Sequence, residues 1–141
     1  MGNIINYLSS DKSKSLIIIF SVIILFLSFT HSKHYITYDK AISEHWDEIK
    51  DYIDGTETIE ACSEESGNCY YVKADISNGI IERIYFSNGG YLDFFAEIDE
   101  DGSAWDFDKN GNSWNFTIDI NSPIIEDAVY EWAGDNNYEI E

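Results

Sequence analysis

The densest oxygen chemistry in the chain is a nine-residue echo, Glu97-Ile98-Asp99-Glu100-Asp101-Gly102-Ser103-Ala104-Trp105, followed at once by Asp106-Phe107-Asp108-Lys109-Asn110-Gly111-Asn112-Ser113-Trp114. Each copy has oxygen-bearing side chains at its first, third and fifth positions and a glycine at its sixth. Hard divalent cations take several oxygens at about 2.3 to 2.6 Å, and a tight glycine turn can aim such side chains at one point. Asp99, Asp101, Asp106, Asp108 and Asn110 are therefore the candidate calcium ligands. The competing reading is a pair of acidic Asx/Gly hairpin turns on either side of a strand.

The echo resembles the opening half of an EF-hand loop, and the likeness ends early. The twelfth position of the second copy is Thr117, where that loop supplies a bidentate Glu; the first copy reaches Asp108 there but begins with Glu97. Other chemistry is thinner still. Glu44-His45-Trp46-Asp47-Glu48 lacks the second His of a metalloprotease helix. No Gly-x-Ser-x-Gly elbow occurs, and His31, His34 and His45 all precede the strand-rich half, so no base is at hand for a serine. No cofactor motif is present, and the expectation is a protein that is not an enzyme.

Cys62 and Cys69 are the only cysteines and enclose Ser63-Glu64-Glu65-Ser66-Gly67-Asn68. Joined, they would close a short loop and add about 2.5 kcal/mol in the chain-entropy model, in an oxidising compartment only. Two unrelated thiols in a reducing cytosol are the alternative. Zinc lacks a Cys or His partner after His45 to complete four ligands.

What places these residues is an apolar run. Twelve of the fourteen residues from Leu16 to Phe29 are Leu, Ile, Val or Phe, worth roughly −5 kcal/mol together for insertion as a helix. Residues 16–32 are accordingly a transmembrane anchor, after a short tail at 1–15 and before an acidic extracytoplasmic domain at 33–141. Lys14 and Lys33 can snorkel from its ends. A cleaved secretory signal is the competing reading, with Lys12 and Lys14 as its basic region, although Thr30-His31-Ser32 only loosely approaches a small-x-small cleavage site. Lysines flanking the run tie two against two, so the cysteine pair carries the outward orientation.

From Ala41 onward there are 25 acidic residues against Lys50, Lys73, Arg83 and Lys109, a net charge of −21. Phosphate backbones and anionic lipid surfaces are repelled, which excludes nucleic acid as a partner. Asn115-Phe116-Thr117 fits an N-glycosylation acceptor in a eukaryotic secretory pathway, while the N-terminus lacks the Ser or Thr that myristoylation wants at position six.

Residues 38–54 carry Ile42, Trp46, Ile49 and Ile53 at helical spacing, with Gly55 placed to end the helix. The period then falls to two. Segments at 70–76, 80–86, 91–98, 105–107 and 114–120, separated by Asn/Gly/Asp turns, predict a five-stranded antiparallel meander with one buried face. Trp105 and Trp114 both fall on the inward phase, so core packing is expected over a sugar-stacking platform. Ser122-Pro123 opens a second helix, whose apolar face is Ile125, Ala128, Val129, Trp132 and Ala133, with Gly134 closing it and a short edge strand at 138–140. The fold class expected is α+β, the meander covered by one or two helices.

The order of apolar N-terminal helix, helical extension, disulfide loop and antiparallel sheet resembles pilin-like subunits in outline. No Gly-Phe-Thr-type junction precedes Leu16, and the run lacks the Glu that such subunits carry near its start. The function expected is a membrane-anchored, non-catalytic interaction or envelope-associated module. The alternatives are a pilin-like fibre subunit and a calcium-dependent binding domain.

Overall fold

The computed structural model describes residues 33–141, so the expected anchor at 16–32 lies outside the described residues. Among the described residues no helix is long and apolar enough to cross a membrane. His34–Glu141 forms one compact unit of α+β class. Its elements are β1 (His34–Ile36), α1 (Tyr38–Ile49), β2 (Gly55–Ser63), β3 (Cys69–Ser77), β4 (Ile80–Tyr85), β5 (Tyr91–Glu97), β6 (Ser103–Phe107), β7 (Ser113–Thr117), α2 (Pro123–Asp135) and β8 (Tyr138–Ile140).

Six strands make one antiparallel sheet in the order β5-β4-β3-β2-β7-β6. The edges β5 and β6 are consecutive in sequence and joined only by residues 98–102, whereas a flat sheet would hold them roughly 24 Å apart. The sheet is therefore rolled until its edges meet. There the Phe95 backbone N–H donates to the Asp106 carboxylate at 2.7 Å in place of a ladder. The five expected strands are all present, paired as β3-β4-β5 and as β6-β7, but the β5 to β6 ladder that a continuous meander requires is not formed. The correction is a sixth strand, β2, which lies between β3 and β7 and completes the roll. Its inward side chains descend from Ile59 to Ala61 to Ser63, too small a series for the alternation to stand out in sequence.

Helix α1 covers one end of the roll. Trp46 Nε1 donates to the Ile98 carbonyl at 3.0 Å, Tyr38 Oη donates to that of Ile120 at 2.9 Å, and the Gly79 N–H donates to that of Ile53 at 3.1 Å. Ile42, Trp46, Ile49 and Ile53 are all buried as their spacing requires. The helix stops earlier than expected, however. A single 3-10 turn at Lys50–Tyr52 follows it, and Gly55, at φ +140°, opens β2 instead of ending the helix. The opposite end is filled by aromatic rings: Phe94 lies 4.9 Å from Phe116 and 6.1 Å from Trp114, which in turn lies 6.1 Å from Phe86.

Helix α2 buries its expected face, Ile125, Ala128, Val129, Trp132 and Ala133. Ser122 holds the N-cap position, but its side chain makes no capping bond; its carbonyl takes the N–H groups of Ile125 and Glu126. Gly134 lies inside the helix, and the left-handed turn after it is made by Asn137 at φ +60°. Strand β8 then pairs in parallel with β1, in the register His34 to Tyr138 and Ile36 to Ile140.

Candidate functional surface

The roll separates the expected ion ligands. Asp99 and Asp101 belong to the turn before β6, Asp108 and Asn110 to the turn after it, and the five residues of β6 put roughly 17 Å between those turns. Asp106, within the strand, is engaged at the edge contact with Phe95. In each turn one carboxylate, that of Asp101 or of Asp108, is engaged by groups of its own turn. Asp101 Oδ1 accepts from the Ser103 N–H at 2.9 Å and from its hydroxyl at 2.6 Å. Asp108, buried, accepts from the N–H groups of Asn110 and Asn112 at 2.8 and 3.0 Å and from the Asn112 amide at 3.0 Å. Burial would push the Asp108 carboxyl up, but the Asn112 and Asn110 donors outweigh it and hold the group below the usual carboxylate range.

A groove of about 610 Å³ runs between α1 and the turn before β6, lined by Glu44, Asp47, Glu48, Asp99, Glu100 and Asp101 together with the His45 ring. Lys50 Nζ neutralises part of this acidity, donating to Asp47 at 3.1 Å and to Glu97. The Glu97 and Asp47 partners raise the Lys50 pKa. His45 interrupts the helical backbone at φ −130° and lays its ring 4.6 Å from that of Trp132, which stacks on Tyr138 at 5.2 Å. His34 approaches Tyr138 at 5.8 Å. Both rings are thus packed against aromatic neighbours.

Cys62 and Cys69 are direct cross-strand partners in β2 and β3, joined by a disulfide with Cα atoms 4.0 Å apart. Six residues turn the chain beyond them, closed by the Ser63 N–H to the Asn68 carbonyl at 2.9 Å. The Glu60 carboxylate lies within 4.8 Å of both sulfurs, but these are bonded to each other and offer no thiolate to a metal.

The outer face of the roll holds what sequence reasoning misplaced. Pairing of β6 with β7 sets Ala104 opposite Phe116 and Asp106 opposite Trp114, which sends Trp105 outward opposite Asn115. Trp114 is buried as expected, whereas Trp105 is 60% exposed, a correction to the inward placement of both. The echo makes the two tryptophans look equivalent, but a one-residue change of phase reverses the face. Phe107, 52% exposed, meets Trp105 edge to face at 5.6 Å, and Phe95, 74% exposed, stands on the neighbouring β5. A signal for these residues existed: Phe95 shares the outward phase of Tyr91, Asp93 and Glu97.

Along β5 the outward positions read Tyr91, Asp93, Phe95, Glu97, aromatic alternating with acidic. The Arg83 guanidinium sits 4.3 Å above the Tyr91 ring, and its Nε donates to Asp93 at 2.5 Å. Beside it Tyr85 Oη donates to Asp75 at 2.5 Å and the Thr56 hydroxyl donates to the same carboxylate at 3.0 Å. These two donors lower the Asp75 pKa, and the hydrogen bond to Asp75 raises that of Tyr85. No family model, curated protein or solved structure matches the chain.

Proposed function

We propose that the chain is a membrane-anchored interaction module whose folded domain works outside the cytoplasm and binds a protein partner without catalysis. The observation that carries the reading is the exposed Phe95, Trp105 and Phe107 group at the closing edge of the roll. Large apolar rings turned to water on a rigid sheet cost solubility and are retained where they bind. The disulfide supports the compartment, since such a bond persists where the surroundings oxidise. The apolar run at 16–32 supports the tether, with secretion after signal cleavage as the alternative.

The test is cross-linking of the full-length chain in its native membrane, beside a Phe95→Thr, Trp105→Thr, Phe107→Thr variant. Threonine keeps the strand propensity while removing the rings. Loss of a cross-linked species in the variant, with melting unchanged, is the expected result; an identical cross-linking pattern overturns the reading. N-terminal sequencing separates the two forms of delivery, because a soluble product beginning near Lys33 replaces the anchor with a cleaved signal.

A further inference from the structure

This inference deepens the reading above and rests on it: we infer that the partner presents a cationic, extended polypeptide segment, Lys or Arg alternating with apolar residues, to the outer face of β5 and β6. Charge complementarity chooses the occupant. A domain with 25 acidic and four basic residues from Ala41 onward repels a second copy of itself as well as phosphates and anionic lipid, and it draws cations toward its surface. The aromatic faces act in the same direction, because the ring quadrupole attracts ammonium and guanidinium groups, Trp most strongly.

The same face already holds a cation in this manner. Arg83 lies over Tyr91 while Asp93, the next outward residue of β5, takes its Nε–H. Two strand periods further on, Phe95 and Glu97 repeat the aromatic and acidic pair, with Trp105 and Phe107 alongside on β6. Glu97 in turn accepts from Lys50. An extended segment has the same two-residue period as the strand, about 6.6 to 6.8 Å. Its cations and apolar side chains can therefore follow the alternation along β5.

The experiment uses the full-length chain in nanodiscs of zwitterionic lipid and two probes, a ten-residue alternating Lys-Tyr peptide and chitotetraose. The Lys-Tyr peptide should bind, with an affinity that falls as salt rises. The Phe95→Thr, Trp105→Thr, Phe107→Thr variant, melting at the parent temperature, should bind it about tenfold more weakly. Unchanged peptide affinity in that variant overturns the inference, since the attraction is then diffuse charge. Failure of the peptide to bind at all overturns it equally. Binding of chitotetraose alone, lost in the variant, would make the ligand a glycan and sink the cationic partner, while the cross-linking test above decides separately whether the face binds anything in the cell.

Discussion

The Asp106 carboxylate accepts the Phe95 N–H at 2.7 Å across the one junction between neighbouring strands of the roll that has no ladder. One side chain thus substitutes for backbone pairing between β5 and β6. Asp106→Ala should leave the Phe95 amide without an acceptor and raise its hydrogen exchange, while exchange in β2 and β3 stays near the parent value. Equal acceleration across the sheet would mean that Asp106 supports the whole fold and not the junction.

Gly102 has φ +79°, and a Cβ there would meet the Ile118 carbonyl oxygen at 2.2 Å. That carbonyl is backbone and cannot swing aside. Gly111 has a similar φ, +86°, with nothing within 4 Å of a Cβ. Gly102→Ala should therefore cost more than about 2 kcal/mol in urea unfolding, and Gly111→Ala about 1 kcal/mol, the difference reporting the clash.

Removing the Trp114 ring from the aromatic end of the roll should cost about 3 to 5 kcal/mol, whereas Trp105→Ala on the outer face should cost under about 1 kcal/mol. Chemical denaturation of the two variants measures this contrast. Similar losses would place Trp105 in the core after all.

The Tyr85 and Asp75 pair sets a pH window. Asp75 is lowered by its donors, so its contribution is present above the ordinary Asp value and lost as pH falls through the folded one. Tyr85 is raised by its hydrogen bond to Asp75, so its contribution is present below the ordinary Tyr value and lost as pH rises through the folded one. Tyr85→Phe should lower the melting temperature between about pH 4 and 10, with the difference closing outside that range on both sides. A difference independent of pH would assign the effect to packing.

Both helices and five strands were legible from period or from apolar runs between turns: Ile42, Trp46, Ile49 and Ile53 mark one helical stripe, Trp114 and Phe116 alternate cleanly with Asn115 and Thr117, and β4 shows as a run because a bulge breaks its alternation. Strand β2 was not, because Thr56, Thr58 and Glu60 alternate with only one large apolar residue, Ile59. Its place is decided by pairing on both sides, a long-range property. Trp105 failed for a related reason, since its face depends on the register with β7 and not on its own neighbours. The acidic turns were legible as turns, but their separation by the length of β6 emerges only once that strand is laid out.

The parallel pairing of β1 with β8 gives the fold an order of completion. It joins segments roughly one hundred residues apart, so its loop-closure entropy is offset only after the roll and both helices have already brought the two together. The strand nearest the expected tether is therefore the last to settle and the first to release. Strain entering the described fold at its N-terminal end would meet this three-residue ribbon before it reached the six-stranded sheet, so β1 and β8 would part first and leave the sheet intact.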